Sequence, residues 1–380
     1  MIYDKIVDFV KSKYPNKDFI SLHEPQFQGN EKKYINDAID STFVSSVGAY
    51  VNKFEDMLCE ITGAKYAIAT ANGTSALHLG LLVAGVKKED EVLTQSLTFI
   101  ATANAISYIG ASSVFLDVDR DTMGLSPNSL QSYLEEFAEK KGGESFSKVS
   151  GKRIRACVPM HTFGFPCRTK EIAKICDAWG IILVEDTAES IGSYQDGVHT
   201  GLDGLVSAFS FNGNKTVTCG GGGALITNDK KLAEFAKHLS TQAKIPHRWE
   251  FRHDHVGYNY RMPNLNAALA CAQLEQLPAY LISKRKLAAE YAVFFKELGV
   301  GFVTEPKGAE ASYWLNCLLF NDKQDRDGFL EYSNSNGVMA RPAWALMHEL
   351  EMFQSSHKSD MTNSEWLADR LVNIPSSVIK

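Results

Sequence analysis

The sequence predicts an α/β protein: a large domain built on a mostly parallel sheet, then a smaller α/β unit toward the C-terminus. Three observations carry this. Short apolar runs alternate with amphipathic stretches from residue 65 onward. The run IILVE is apolar without alternation, which suits a parallel strand covered on both faces. The texture then changes near residue 300 to shorter strands around a single helix. A boundary near 270 is expected, with 1–270 holding an N-terminal segment and the large domain, and 271–380 a connecting helix and the small domain.

Residues 2–13 place Ile2, Ile6, Phe9 and Val10 on one helical face. FISLHEP reads as extended, with a helix from about Asn30. Gly48 breaks the chain before a helix carrying Val51, Phe54, Met57 and Leu58. The strand KYAIAT is followed by a helix that opens at Gly73, Thr74 and Ser75. EVLTQSLTFIATANAISYIGASSVFLDVD gives strand, helix and strand, with Phe99 at the first turn. A helix capped near Ser126 runs through LSPNSLQSYLEEFAEKK. The Gly-, Ser- and Lys-rich stretch 142–152 reads as an exposed insertion. RACVPMHTFG is a strand ending at His161, and Gly180 closes the next helix. After IILVEDTAES and VSAFSF, ALITNDKKLAEFAKHLS returns to strand and helix. The stretch 244–262 mixes Arg, His and aromatic residues before a helix starting near Pro263, and suits a loop reaching into a site, a neighbour's included. Beyond 300, GFVTEP, ASYWLNCLLF and VMARPAW read as strands, and DRDGFLEYSNSNG as a helix.

Composition narrows the function. The formal charge is −6, with no basic excess for nucleic acid. No apolar run approaches the ~20 residues of a membrane span, and the opening residues mix charges rather than forming a signal peptide. The seven cysteines form no CxxC pair and read as buried thiols in a reducing cytoplasm. Asp117 and Asp119 have no His or Cys at ligand spacing, so no metal site is expected.

The chemistry centres on residues 205–224. Lys215 lies between an aromatic-rich strand and Gly220 to Gly223, and Asp186 ends an apolar strand. Ligands of such sheets bind at the carboxyl ends of the strands. A lysine and a buried aspartate there suit pyridoxal phosphate, the lysine forming a Schiff base and the aspartate keeping the pyridine nitrogen protonated. A lysine before glycines is, taken alone, an ordinary turn residue. Small residues opening the helix at Gly73 leave N–H groups free for an anion, although N-capping by Asn72 or Thr74 explains them equally. The glycines after Lys215 are expected to let the backbone pass close to the cofactor.

Taken together, SSVGAYVNKFE, NGTSAL, TFIATANAI, FLDVDRDT, EDTAES, FSFNGNK with GGGGA, GYNYRM and RPAWALMH resemble the DegT-type sugar-nucleotide aminotransferases, of the aspartate-aminotransferase fold. YPNKDFISLHEP, STFVSSVG and 142–152 look like the legionaminate/bacillosamine branch. The resemblance implies a pyridoxal 5'-phosphate enzyme that takes the amino group of L-glutamate. It would deliver that group to C4 of a UDP-linked 2-acetamido-4-keto-6-deoxy hexose; GDP- and dTDP-linked ketosugars, as in a perosamine-like reaction, stay open. It also implies that Lys215 is catalytic, that Asp186 pairs with the pyridine nitrogen, and that Thr74, Ser75 and Ser210 hold the phosphate. Phe99 would stack on the ring, and Asn259 would reach the phosphate from a partner, making a homodimer with shared sites. Arg261 and His348 would lie near the substrate. Many relatives carry glutamine where this chain has Glu189, whose carboxylate donates no hydrogen bond unless protonated. A sugar dehydratase of the same fold would carry histidine in place of Lys215, and a non-catalytic sugar-binding or regulatory protein would not need the full residue set.

Overall fold

The computed structural model describes residues 2–379. The chain opens with α1 (Ile2–Lys13), α2 (Glu31–Asp40) and α3 (Ala49–Thr62), the last stopped by Gly63 at φ 80°. Then come β1 (Tyr66–Thr70), α4 (Gly73–Val83), β2 (Glu91–Gln95), α5 (Ala101–Ile109), β3 (Ser112–Leu116) and α6 (Pro127–Phe137). Ser126 caps α6 by accepting from the Ser129 N–H, with Pro127 in the first turn. β4 (Ala138–Lys141) and β5 (Glu144–Ser147) form a hairpin leading to β6 (Arg153–Val158). α7 (Thr169–Trp179) stops at Gly180, which is left-handed, and β7 (Ile182–Asp186) follows. The short pair β8 (Tyr194–Gln195) and β9 (Val198–His199) precedes β10 (Val206–Ser210) and β11 (Gly223–Thr227). α8 (Lys230–Ser240) starts at Asp229, whose carboxylate accepts from two N–H groups. The minimal hairpin β12 (Lys244–Ile245) and β13 (Arg252–His253) leads to α9 (Asn264–Leu298). The C-terminal part holds β14 (Gly301–Phe302), β15 (Ala309–Glu310), β16 (Asn316–Leu319), α10 (Lys323–Ser335), β17 (Arg341–Pro342), α11 (Thr362–Ala368) and β18 (Leu371–Ile374).

The large sheet runs β1-β11-β10-β7-β6-β2-β3. β10, β7, β6, β2 and β3 are parallel, while β11 is antiparallel to both its neighbours. One core on the sheet holds Leu77, Leu81, Val184, Val206 and Leu225; another holds Phe54, Phe209, Ile226, Cys271 and Leu274. The small sheet runs β14-β16-β18-β17, all antiparallel. Among the described residues, no helix is long and apolar enough to cross a membrane. All seven cysteines are free, six of them buried.

Three expectations need correction. Residues 142–152 are not simply an insertion: Ser145 and Ser147 are buried, and β5 pairs with β6, so only the turns on either side are exposed. The AEKK expected at the end of a helix is β4, because α6 stops where Ala138 turns extended. Helix α1 packs Ile6, Val7 and Val10 against Tyr291, Phe295, Phe329 and Ile374, and so joins the C-terminal unit rather than the large sheet. Amphipathic periodicity shows that a helix has an apolar face, not which core takes it.

Candidate active site

The carboxyl ends of β7 and β10 and the start of α4 meet at one cavity of about 340 Å³. Asn72, Gly73, Thr74, Phe99, Asp186, Glu189, Ser210, Lys215, Trp314 and Trp344 lie on its wall, with others. This is where an α/β sheet places ligands, since strand ends and helix N-termini converge there.

Asp186 is buried at the last position of β7. The Thr102 hydroxyl donates to its Oδ2 at 2.7 Å, and the Ala188 N–H to its Oδ1 at 3.1 Å. Burial pushes its carboxyl up, and Thr102, Ala188 and the Lys215 cation pull the other way. A dry carboxylate with donors on both oxygens is a fixed acceptor for a cationic N–H.

Lys215 sits in the turn after β10, its Nζ 3.1 Å from Glu189 Oε1 and 3.8 Å from the centre of the Trp314 ring. The Trp314 indole donates to the Asn214 carbonyl at 2.8 Å, tying the turn to the C-terminal unit. Glu189 Oε2 accepts from the Phe163 N–H at 2.8 Å. Phe163 holds that N–H in place with a left-handed backbone, φ 56°, which is uncommon outside glycine and concentrates at functional sites. Burial raises the Glu189 carboxyl to about 7, against the lowering effect of Lys215.

The start of α4 faces the same space. Asn72 Oδ1 takes the Ser75 N–H at 2.8 Å, so both readings of this segment hold: Asn72 caps the helix, and Gly73 and Thr74 line the cavity. A Cβ on Gly73 would stand 2.8 Å from Ser210 Cβ, so glycine keeps an open cradle between Thr74 and Ser210. The residues therefore fit pyridoxal phosphate: an anion cradle, a buried carboxylate and an amine on one cavity.

The sequence-expected residues separate into two groups. Lys215, Asp186, Glu189, Thr74, Ser210 and Phe99 share the cavity. Ser75 is buried one position further into α4 and does not line it. Asn259 is exposed, bridged to Thr241. Arg261 lines two neighbouring cavities instead, and His348 Nδ1 is bonded to Ser96 Oγ at 2.7 Å, off this wall. The glycine run also acts differently from expectation. A Cβ on Gly223 would stand 2.4 Å from the Asn72 carbonyl, and one on Gly222 2.3 Å from Cys219 Sγ. The glycines let β11 pass against the start of α4 and the preceding turn.

Comparison with known proteins settles the family. Residues 25–378 match the model of the DegT/DnrJ/EryC1/StrS aminotransferase family. The chain belongs to this family. Like its relatives, this aminotransferase is a pyridoxal phosphate-dependent transaminase of nucleotide sugars. It is 35% identical over 358 residues to a GDP-perosamine synthase of Escherichia coli O157:H7, covering 94% of this chain and 93% of that one. It is also 35% identical to a putative pyridoxal phosphate-dependent aminotransferase, EpsN, of Bacillus subtilis, covering 94% and 90%. Among solved structures, the aminotransferase TlmJ of Streptoalloteichus hindustanus superposes with a TM-score of 0.85 at 26% identity, covering 94% and 93%. DesI, solved with its TDP-sugar product, gives 0.82 at 26%, covering 94% and 88%.

Trp314, Trp344, Thr102 and Phe163 were missed in the sequence. Thr102 lies in TFIATANAI and is legible there as a hydroxyl in the first turn of the helix after the strand. Trp344 lies within RPAWALMH, yet nothing in its spacing says that it reaches Phe99, 6.0 Å away ring to ring.

Proposed function

We propose that this aminotransferase moves the amino group of L-glutamate to C4 of a GDP-linked 4-keto-6-deoxy hexose, as in perosamine formation. The single observation behind the sugar is the likeness to GDP-perosamine synthases, 35% and 34% identical across 94% of the chain. It favours the GDP-linked alternative over the UDP-linked acetamido sugar that the opening residues suggested. Pyridoxal phosphate supplies an electron sink and a carrier for the amino group.

The chain's own residues do the rest. Thr74, Ser210 and the free N–H groups at the start of α4 hold the phosphate. Asp186 would keep the pyridine nitrogen protonated, its oxygens held in place by Thr102 and Ala188. Phe99 would pack on the cofactor ring, with Trp344 beside it on the cavity wall. Lys215 would hold the cofactor covalently and, with its amine free, would move the proton at the carbon that gains or loses the amino group. Glu189 faces Lys215 and takes or returns that proton, a role its raised pKa suits.

The site is completed by a second copy of the chain. The loop carrying Asn259 exposes Trp249, Phe251 and Val256, each more than 70% accessible, which suits burial against a partner. Lys244, His247, Arg248 and Arg261 line an open cavity on this loop with no acidic residue, fitting the diphosphate of a nucleotide sugar in the neighbour's site.

The test charges the enzyme with glutamate, removes the excess and offers GDP-, UDP- and dTDP-linked 4-keto-6-deoxy sugars separately. Mass spectrometry of the products reads the outcome. Amination of the GDP sugar at least about tenfold faster than the others is expected, a margin of ~1.4 kcal/mol. Preference for the UDP-linked acetamido sugar would replace this reading with the other.

A further inference from the structure

Lys284 is fully buried in the middle of α9, between the half of that helix that packs on the large sheet and the half that packs on the C-terminal unit. Its ammonium has no carboxylate partner among the described residues. It donates to two main-chain carbonyls, Trp314 at 3.3 Å and Ser376 at 2.5 Å. An unpaired buried ammonium is unfavourable, and an apolar side chain would fill the same space without that penalty. What the lysine adds is a pair of directed donors.

Those donors act on the strand entering β16. The Ser376 hydroxyl takes the Asn316 N–H at 2.7 Å, and the Leu315 N–H reaches the Phe163 carbonyl at 3.3 Å. Residues 314–316 are therefore pinned from both sides. Trp314 projects from this pinned backbone, donates to Asn214 and lays its ring against Lys215. His23 lies in the same region, buried with neither ring nitrogen partnered, and burial first, then the nearby Lys284 and Lys215, keep it neutral. It offers Lys284 no counter-charge.

We propose that Lys284 is a positioning residue for Lys215: it fixes the Trp314 backbone so that the indole anchors the turn and aims the reactive amine. This rests on Lys215 being the residue that carries the cofactor. Removing Lys284 frees the Trp314 carbonyl, lets the indole drift from Asn214 and loosens the aim of Nζ. Misplacement of a reacting group on the scale of 1 Å costs about a hundredfold in rate.

The experiment uses full-length protein with Lys284→Met, Trp314→Phe and the double variant. In cofactor-free protein labelled with ¹⁵N-tryptophan, the resonance missing from Trp314→Phe identifies the Trp314 indole. Its hydrogen exchange is expected to speed up about tenfold or more in Lys284→Met, because the bond to Asn214 opens more often. In the loaded enzyme, kcat for the glutamate half-reaction should fall about tenfold to a hundredfold while the glutamate KM stays within about threefold. Combining Lys284→Met with Trp314→Phe should slow kcat no more than the worse single change. Multiplying effects, or wild-type indole exchange in Lys284→Met, would overturn the proposal. Should Lys284→Met not fold, Lys284→Leu, another apolar side chain without a donor, replaces it in the same cycle against Trp314→Phe. Borohydride reduction of loaded wild type followed by peptide mapping tests Lys215 separately, and the indole exchange is read without cofactor, so failure of the one is distinguishable from failure of the other.

Discussion

Lys215 Nζ and Glu189 Oε1 stand 3.1 Å apart on the wall of the cavity, and the Glu189 side chain is almost fully buried. The chain places there a carboxylate whose charge burial makes expensive. The pair makes the protonation of Glu189 a property that pH reads out.

The Glu189 carboxyl ordinarily titrates at 4.5 and is raised in the fold to about 7. The unfolded chain thus ionises first, and stability contributed below pH 4.5 is lost as pH rises through about 7. Cofactor-free wild type should lose stability relative to Glu189→Gln between pH 5 and pH 8, by on the order of 3 kcal/mol at most. Denaturant unfolding at a series of pH values checks it. A gap that does not change with pH would mean that Glu189 stays ionised beside Lys215 throughout.

Thr102 is the hydroxyl that holds Asp186. Thr102→Val should raise the Asp186 pKa further and slow turnover about tenfold, the value of one hydrogen bond to a charged group. Asp186→Asn should cost about a hundredfold to a thousandfold, because the proposed partner of the ring nitrogen would lose its charge. Retention of cofactor on dialysis should change far less than the rate in both. Equal losses of affinity and rate would make Asp186 a binding residue only.

A site shared between two copies of the chain, as proposed above, has its own signature. Lys215→Ala and Asn259→Ala homodimers should each be nearly inactive. Mixed in equal amounts and allowed to exchange, half the dimers are hybrids with one intact site of two, so activity should return to about a quarter of wild type. Trp249→Ser with Phe251→Ser should weaken the dimer by about 2 kcal/mol or more, read by sedimentation. No recovery in the mixture would place Asn259 in its own subunit's affairs.

Much of this site was legible because its residues punctuate the strands. Asp186 ends an apolar run, Ser210 ends the next, and Lys215 and Thr74 follow turn residues that sequence marks plainly. What the sequence did not show comes from distance along the chain. Trp314 reaches Lys215 across 99 positions, and α1 packs on Phe329 across more than 300. Periodicity carries no address for such contacts. The hairpin of β4 and β5 was missed because its turn, Gly142–Gly143, has the composition of a linker. His348 has the chemistry of a ligand residue but is occupied by Ser96, a pairing no spacing predicts.

β1 forms its ladder with β11 alone, although β1 ends at Thr70 and β11 begins at Gly223. During synthesis, residues 66–70 wait roughly ten to thirty seconds for their partner at ordinary ribosome speeds. For that interval the edge beside the start of α4 is open, and so is the face of α1 that packs on residues from 287 onward. Both surfaces therefore stay unpaired until segments far along the chain have emerged. Truncations that spare every residue of the cavity should still yield insoluble protein when they remove β18.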